Sequence, residues 1–179
     1  MTNLSTINGT YEIDASHSRL GFVVRHAMVT KVRGSFSDFT GEASGDASDP
    51  SSIAVNVTAQ ADSFTTGNAD RDKHVKSGDF LDVESNPTLT FNSTSAEIKG
   101  NTLELTGNLS IKGTTQSVTI PFEFGGEAKD PFGAVRVGFE GGITISRKDF
   151  GLSWNAALDT GGVLISAAVA LELEISAVM

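Results

Sequence analysis

The chain has no cysteine among its 179 residues. That absence excludes a disulfide scaffold, a thiolate-ligated zinc, an iron–sulfur cluster and a thiol nucleophile. Tryptophan and tyrosine are nearly missing too, at one each against 11 phenylalanines, so the aromatic content is almost pure hydrocarbon. No long apolar run occurs. The longest, residues 163–171, contains Ser166 and stops at Glu172, well short of the ~20 residues a spanning helix needs, so no stable membrane insertion is expected. Residues 1–9 carry neither the basic start nor the apolar centre of a secretory leader, which points to the cytoplasm, or to the periplasm or exterior if a leader has been removed. Positive charge is scarce, with 13 Lys and Arg against 22 Asp and Glu and a formal net charge of -9. Such an acidic surface repels phosphate backbones, which argues against nucleic acid and against a polybasic membrane dock. Walker A, GxSxG, HExxH and EF-hand patterns are also absent.

What is present is alternation. Leu20, Phe22 and Val24 alternate with Gly21, Val23 and Arg25, and the same period of two runs through Ile53, Val55 and Val57. It recurs at Leu89 and Phe91, at Leu103, Leu105, Leu109 and Ile111, at Val118, Ile120, Phe122 and Phe124, and at Val135, Val137 and Phe139. Period two means strands with one apolar and one wet face. Breakers at residues 46–50, 86–87, 99–101, 112–113, 125–126 and 159–162 separate about eight or nine strands, mostly linked as hairpins. Runs of ~10–14 residues with interior glycines favour an all-β antiparallel barrel over a sandwich. At a tilt of ~40° such strands make a tube about 30 Å tall. Residues 68–77 break the pattern, with a capping Asn68, acids early and bases late, and predict a short helix. Residues 163–175 have helical composition but apolar odd positions, and the alternation predicts a strand that closes the barrel.

Candidate chemistry is sparse. His17, His26 and His74 lack any spacing that suits a metal, so no metal site is expected. Arg71, Asp72, Lys73 and His74 form the densest polar cluster. It fits a charged helix, a polar lid touching a ligand headgroup, or an acid–base histidine tuned by a carboxylate. Asp149, Phe150 and Gly151 repeat the tripeptide of the kinase metal loop without the glycine-rich loop or catalytic loop that would give it meaning.

Several stretches in order resemble one family. They are Tyr11 to Ser18 running into Phe22 to His26, then Val32 to Phe36 with Phe39, Thr40 and Gly41. Arg71 to His74 follow, with Asp79, Phe80 and Pro87 to Phe91, then Gly107 to Gly113 and Arg147 to Gly151. Together they resemble the YceI-like, polyisoprenoid-binding family over nearly the whole chain. The resemblance implies a single domain over residues 1–179, an extended lipocalin-like barrel of eight antiparallel strands with one or two short helices. Its apolar pore would hold a polyisoprenoid, either a plain chain or a quinone with an isoprenoid tail. Leu81 stands where relatives often have a second phenylalanine after Phe80.

The expected function is therefore binding of such a lipid for transport, storage or sequestration, with no cofactor and no catalytic residue. Phase and resemblance place Phe22, Val24, His26, Phe36, Phe39, Arg71, His74, Phe80, Phe91 and Phe139 around the ligand, with Trp154 near one end. An apolar pore rim further suggests a homodimer. The alternative is a barrel isomerase or cyclase using His74 or His26 as acid and base.

Overall fold

A computed structural model of the chain describes residues 3–179. The strands are β1 (Asn8–Ile13), β2 (Arg19–His26), β3 (Thr30–Phe36), β4 (Phe39–Asp46), β5 (Asp49–Gln60) and β6 (Phe64–Thr65). After the helix α1 (Ala69–Lys76) come β7 (Thr88–Lys99), β8 (Thr102–Ile111), β9 (Thr114–Lys129), β10 (Val135–Ser146) and β11 (Ile165–Val178). Every pairing is antiparallel, and β1, β4, β5, β7, β8, β9, β10 and β11 form a ring that closes where β11 meets β1. This is the antiparallel barrel that the alternation predicts, with the eight strands that the family resemblance implies.

The larger number of strand segments comes from three breaks, one of them the 3-10 turn Ala61–Ser63 between β5 and β6. β11 pairs with β1 through Ala177 and Val178 and with β2 from Ile165 to Glu174, so β1 and β2 are two parts of one long strand. They are separated by the 3-10 turn Ala15–His17, where the Asp14 side chain accepts from the backbone N–H and hydroxyl of Ser16. A local acceptor of that kind competes with the ladder for the backbone donor. β3 and β4 are divided likewise at Ser37 and Asp38, with β3 on β2 and β4 on β1.

One expected breaker, the glycine pair at 125 and 126, is not a turn. β9 runs straight through Gly125 and Gly126, and the register with β10 shifts between Gly138 and Phe139. Gly125 is the extra residue of a bulge, left without a partner beside Gly126 at φ 128°, and a bulge needs no chain reversal. Between β4 and β5 the connection is only Ala47 and Ser48, and Pro50 lies inside β5, at its second residue, where a missing donor is tolerated. The helix α1 forms where the charge pattern places it, with the Asn68 side chain accepting from the Arg71 N–H.

The two ends of the barrel differ. At the end that holds the start of β1, the 3-10 turn Leu4–Thr6 folds across the opening, and Leu4 is 2 % exposed beside Ile7, Tyr11 and Ala47. At the other end the wall is not all ladder. The β9–β10 pairing stops at Phe122 and Gly141, and the 3-10 turn Arg147–Phe150 packs into the opening, with Gln116 donating to the Asp149 carbonyl. On the far side, β6 pairs with β3 and β7 with β5, and α1 with the residues that follow it packs between them.

Interior glycines shape the wall. Phe22 lies over Gly34, Phe91 over Gly107 and Phe122 over Gly141, each ring within 2.6 Å of where a Cβ would stand. With only hydrogen beneath it, each ring lies along the wall and leaves the lumen free.

Candidate functional site

The barrel interior holds two apolar chambers in line. The wider, of about 480 Å³, is lined by the lower parts of β2, β3 and β11, by α1 and by the Arg147–Phe150 turn. The narrower, of about 190 Å³, lies toward the Leu4 plug. On three strands the lining passes from one chamber to the other at consecutive inward positions: Phe22 to Leu20, Leu89 to Phe91, and Leu171 to Leu173. Alternate strand residues are only ~7 Å apart, so the chambers abut as stages of one tube. Known ligand cavities span roughly 300–1,000 Å³, a range that includes the wider chamber.

Of the residues singled out from sequence, Phe22, Val24, His26, Phe36, Arg71, His74, Phe80 and Trp154 line the wider chamber, and Phe91 and Phe139 line the narrower. Phe39 lines neither. It is buried at the break between β3 and β4, opposite Ala59. Trp154 closes on His74 and Phe80, with ring centroids at 4.7 Å and 5.3 Å.

The polar groups gather where the wider chamber meets solvent. Arg25, His26, Asp70 and Arg71 are exposed there. Arg71 and Asp72 do not pair with each other; both hold Thr66. Arg71 Nε donates to Thr66 Oγ1 at 2.7 Å, and Asp72 Oδ1 accepts from the Thr66 N–H at 2.8 Å and hydroxyl at 2.6 Å. These bonds fasten α1 to the end of β6. His74 Nε2 lies 2.9 Å from Asp79 Oδ2. Among the described residues, no three histidines or carboxylates come together as a metal cluster.

One lining residue escaped the sequence reading. Arg147 is 5 % exposed and is the one buried charged side chain among the described residues. Its guanidinium donates to four backbone carbonyls: Leu152, Trp154 and Ser166, the last two at 2.9 Å, and Ile165 at 3.2 Å. Burial pushes its pKa below the ordinary guanidinium value, and it stays charged. It ties the end of β10 to the start of β11 and to the segment bearing Trp154. The only sequence signal for it was its place before Lys148, Asp149 and Phe150 in a family-like motif. Leu4 and Ile7, which close the narrower chamber, were read only as an N-terminal segment without a leader.

Comparison with known proteins agrees with this geometry. A family model described as a YceI-like domain matches residues 11–177. A UPF0312 protein of Pseudomonas aeruginosa is 42% identical over 144 residues, covering 79% of this chain and 75% of its own. Protein YceI of Salmonella newport is 38% identical over 154 residues, covering 85% of this chain and 81% of its own. Among solved structures, BcnA of Burkholderia cenocepacia superposes with a TM-score of 0.80 at 23% identity, over 92% of this chain and 98% of its own. A polyisoprenoid binding domain from Saccharophagus degradans superposes with a TM-score of 0.69 at 14% identity, over 93% of this chain and 97% of its own.

Proposed function

The chain belongs to the YceI-like domain family, and from that premise we propose that its barrel holds a long-chain polyisoprenoid for transport or storage and does not turn it over. The observation that carries this reading is the pair of abutting apolar chambers, plugged by Leu4 at one end and rimmed by polar groups at the other. A long unbranched-width cargo fits a tube of that kind, and the Saccharophagus domain of the same fold is described as polyisoprenoid binding. The tail occupies the chambers and the head sits at the rim, where Arg71 and His26 can donate to a quinone or alcohol oxygen.

The energetics favour hydrocarbon over headgroup. At ~0.8 kcal/mol per buried CH₂, a chain of roughly forty carbons gives ~30 kcal/mol gross. That exceeds the practical ceiling of about 20 kcal/mol, so ordering and association costs offset much of it. Retention is therefore tight and nearly independent of salt. The test is mass spectrometry of an organic extract of the purified protein, in parallel with Phe91→Asp and Asn92→Asp. Wild type and Asn92→Asp carry an isoprenoid lipid and Phe91→Asp does not. Equal lipid content in both variants would sink the assignment of the lumen as the site.

One observation favours an enzyme reading, the His74–Asp79 pair at the chamber wall. A carboxylate-paired histidine is a possible acid–base group. The carrier reading expects His74→Ala to yield the same lipid as wild type. Accumulation of a different, unconverted lipid in that variant would replace the carrier with an isomerase or cyclase.

A further inference from the structure

We propose that the β2–β3 hairpin docks the open mouth of the barrel onto an anionic phospholipid bilayer. The proposal rests on the carrier reading, since docking there sets the mouth against the phase from which an apolar cargo must come. The hairpin tip presents Met28, 54% exposed, and Val29, 75% exposed, beside Val163, 39% exposed, from the segment entering β11. The Ala27 N–H donates to the Leu164 carbonyl at 2.7 Å, and Met28 packs against Gly162, so the three apolar side chains stand on one connected edge. Arg25, His26 and Leu164 on the same edge line the wider chamber.

The charge along the hairpin itself runs against that of the whole chain, while Asp70 at the same mouth and Asp159 in the turn leading to Val163 are the acids that flank it. No Asp or Glu lies between Asp14 and Asp38, a stretch that carries Arg19, Arg25, Lys31 and Arg33. Arg33 pairs with Glu172, while no ion pair among the described residues involves Arg25 or Lys31. The plugged end carries Asp46, Asp49, Glu97, Glu123, Glu127 and Asp130 against few bases. The net charge of -9 is thus unevenly spread. An anionic surface attracts the hairpin and repels the opposite end, which orients the barrel mouth-down.

The tip has a conformation that it keeps at a cost. Ala27 and Met28 both sit in the left-handed region, at φ 51° and 67°, where hairpin turns ordinarily place Asn and Gly. A methionine there puts a flexible apolar side chain at the apex, suited to entering the headgroup boundary. Basic residues beneath it then lie at phosphate depth. A second copy of the chain is the poorer occupant, because a two-fold interface would set Arg25 and Lys31 of one hairpin against those of the other.

The experiment is co-sedimentation of the full chain with vesicles of phosphatidylcholine alone and with about a third phosphatidylglycerol, at low salt and at ~0.5 M salt. Binding is expected only to the anionic vesicles and only at low salt. The variant Met28→Glu/Val29→Glu/Lys31→Glu loses about tenfold or more of that binding. Lys31→Ala, a milder change, loses part of it, and Lys99→Glu/Lys129→Glu at the plugged end loses none. Absence of vesicle binding at low salt overturns the proposal, as does equal binding to uncharged vesicles or equal loss in the Lys99 and Lys129 variant. A concentration-dependent dimer in sedimentation, abolished by the triple variant in place of vesicle binding, also overturns it and makes the edge a self-interface. Organic extracts of the same preparations separate the two readings. Lipid without docking sinks this proposal alone, and docking without lipid sinks the carrier reading alone.

Discussion

Replacing Arg147 with methionine keeps most of the side-chain volume and removes the guanidinium from beneath four carbonyls. The Ile165 carbonyl retains a second donor, Asn155 Nδ2 at 2.8 Å. The carbonyls of Leu152, Trp154 and Ser166 lose their donor beside an apolar chamber, and an unsatisfied buried group costs about 1–3 kcal/mol. Water reaching them from the chamber lowers the sum, which leaves roughly 3–5 kcal/mol, the usual loss on breaking a buried charged network. A domain of this size holds about 5–15 kcal/mol in total. With a urea slope of ~2 kcal/mol per molar, the unfolding midpoint falls by roughly 2 M. Arg147→Lys restores the charge from one point only and recovers a fraction of the loss. The assay is urea unfolding followed by circular dichroism on all three proteins. A methionine variant within about 1 kcal/mol of wild type would refute the reasoning and show that the carbonyls find other donors.

Asp14 accepts from Ser16, Arg136 and His17, which together hold its carboxyl far below the usual carboxylate range. A depressed folded-state pKa contributes stability above the unfolded value of ~4 and loses it as pH falls toward the folded value. The stability gap between wild type and Asp14→Asn is accordingly full at neutral pH and closes in acid, checked by denaturant titrations at stepped pH; a gap that widens in acid contradicts it. Met28→Gly relieves a left-handed methionine and raises stability by roughly 0.5–1 kcal/mol in thermal unfolding, net of glycine's added chain entropy; a loss of stability would show that Met28 packing outweighs the backbone cost. Leu4→Ala empties the plug and costs about 2–4 kcal/mol, read by the same scans, and an effect below 1 kcal/mol would mean that the turn Leu4–Thr6 contributes little to the closed end.

The barrel was legible because its code is local. Period-two alternation through β2, β7, β8, β9 and β11 states which side chains share a face before any pairing is known. That is why Phe22, Val24, Phe91 and Phe139 could be placed on one face from sequence. Arg147 was not legible, because its partners at residues 152, 154, 165 and 166 converge only through tertiary structure. Phe39 follows a break that hydrogen bonding around Ser37 and Ser63 creates, and alternation carries no information across it. The glycine pair at 125 and 126 is written the same way for a turn as for a bulge. Net charge is a sum over the chain and hides how charge is spread; the acid-free stretch between Asp14 and Asp38, on which the docking proposal rests, shows only when the sequence is read by edge.

The rings of Phe22, Phe91 and Phe122 lie flat because Gly34, Gly107 and Gly141 stand beneath them. The bore of the tube is therefore gauged by residues that have no side chain and meet no cargo. A methyl group at any of the three would press on a ring and on a carbonyl oxygen 2.6–2.8 Å away, and the ring would move into the lumen. Preference between a slender polyprenyl tail and a bulkier guest can then drift through these positions, while every lining residue stays the same.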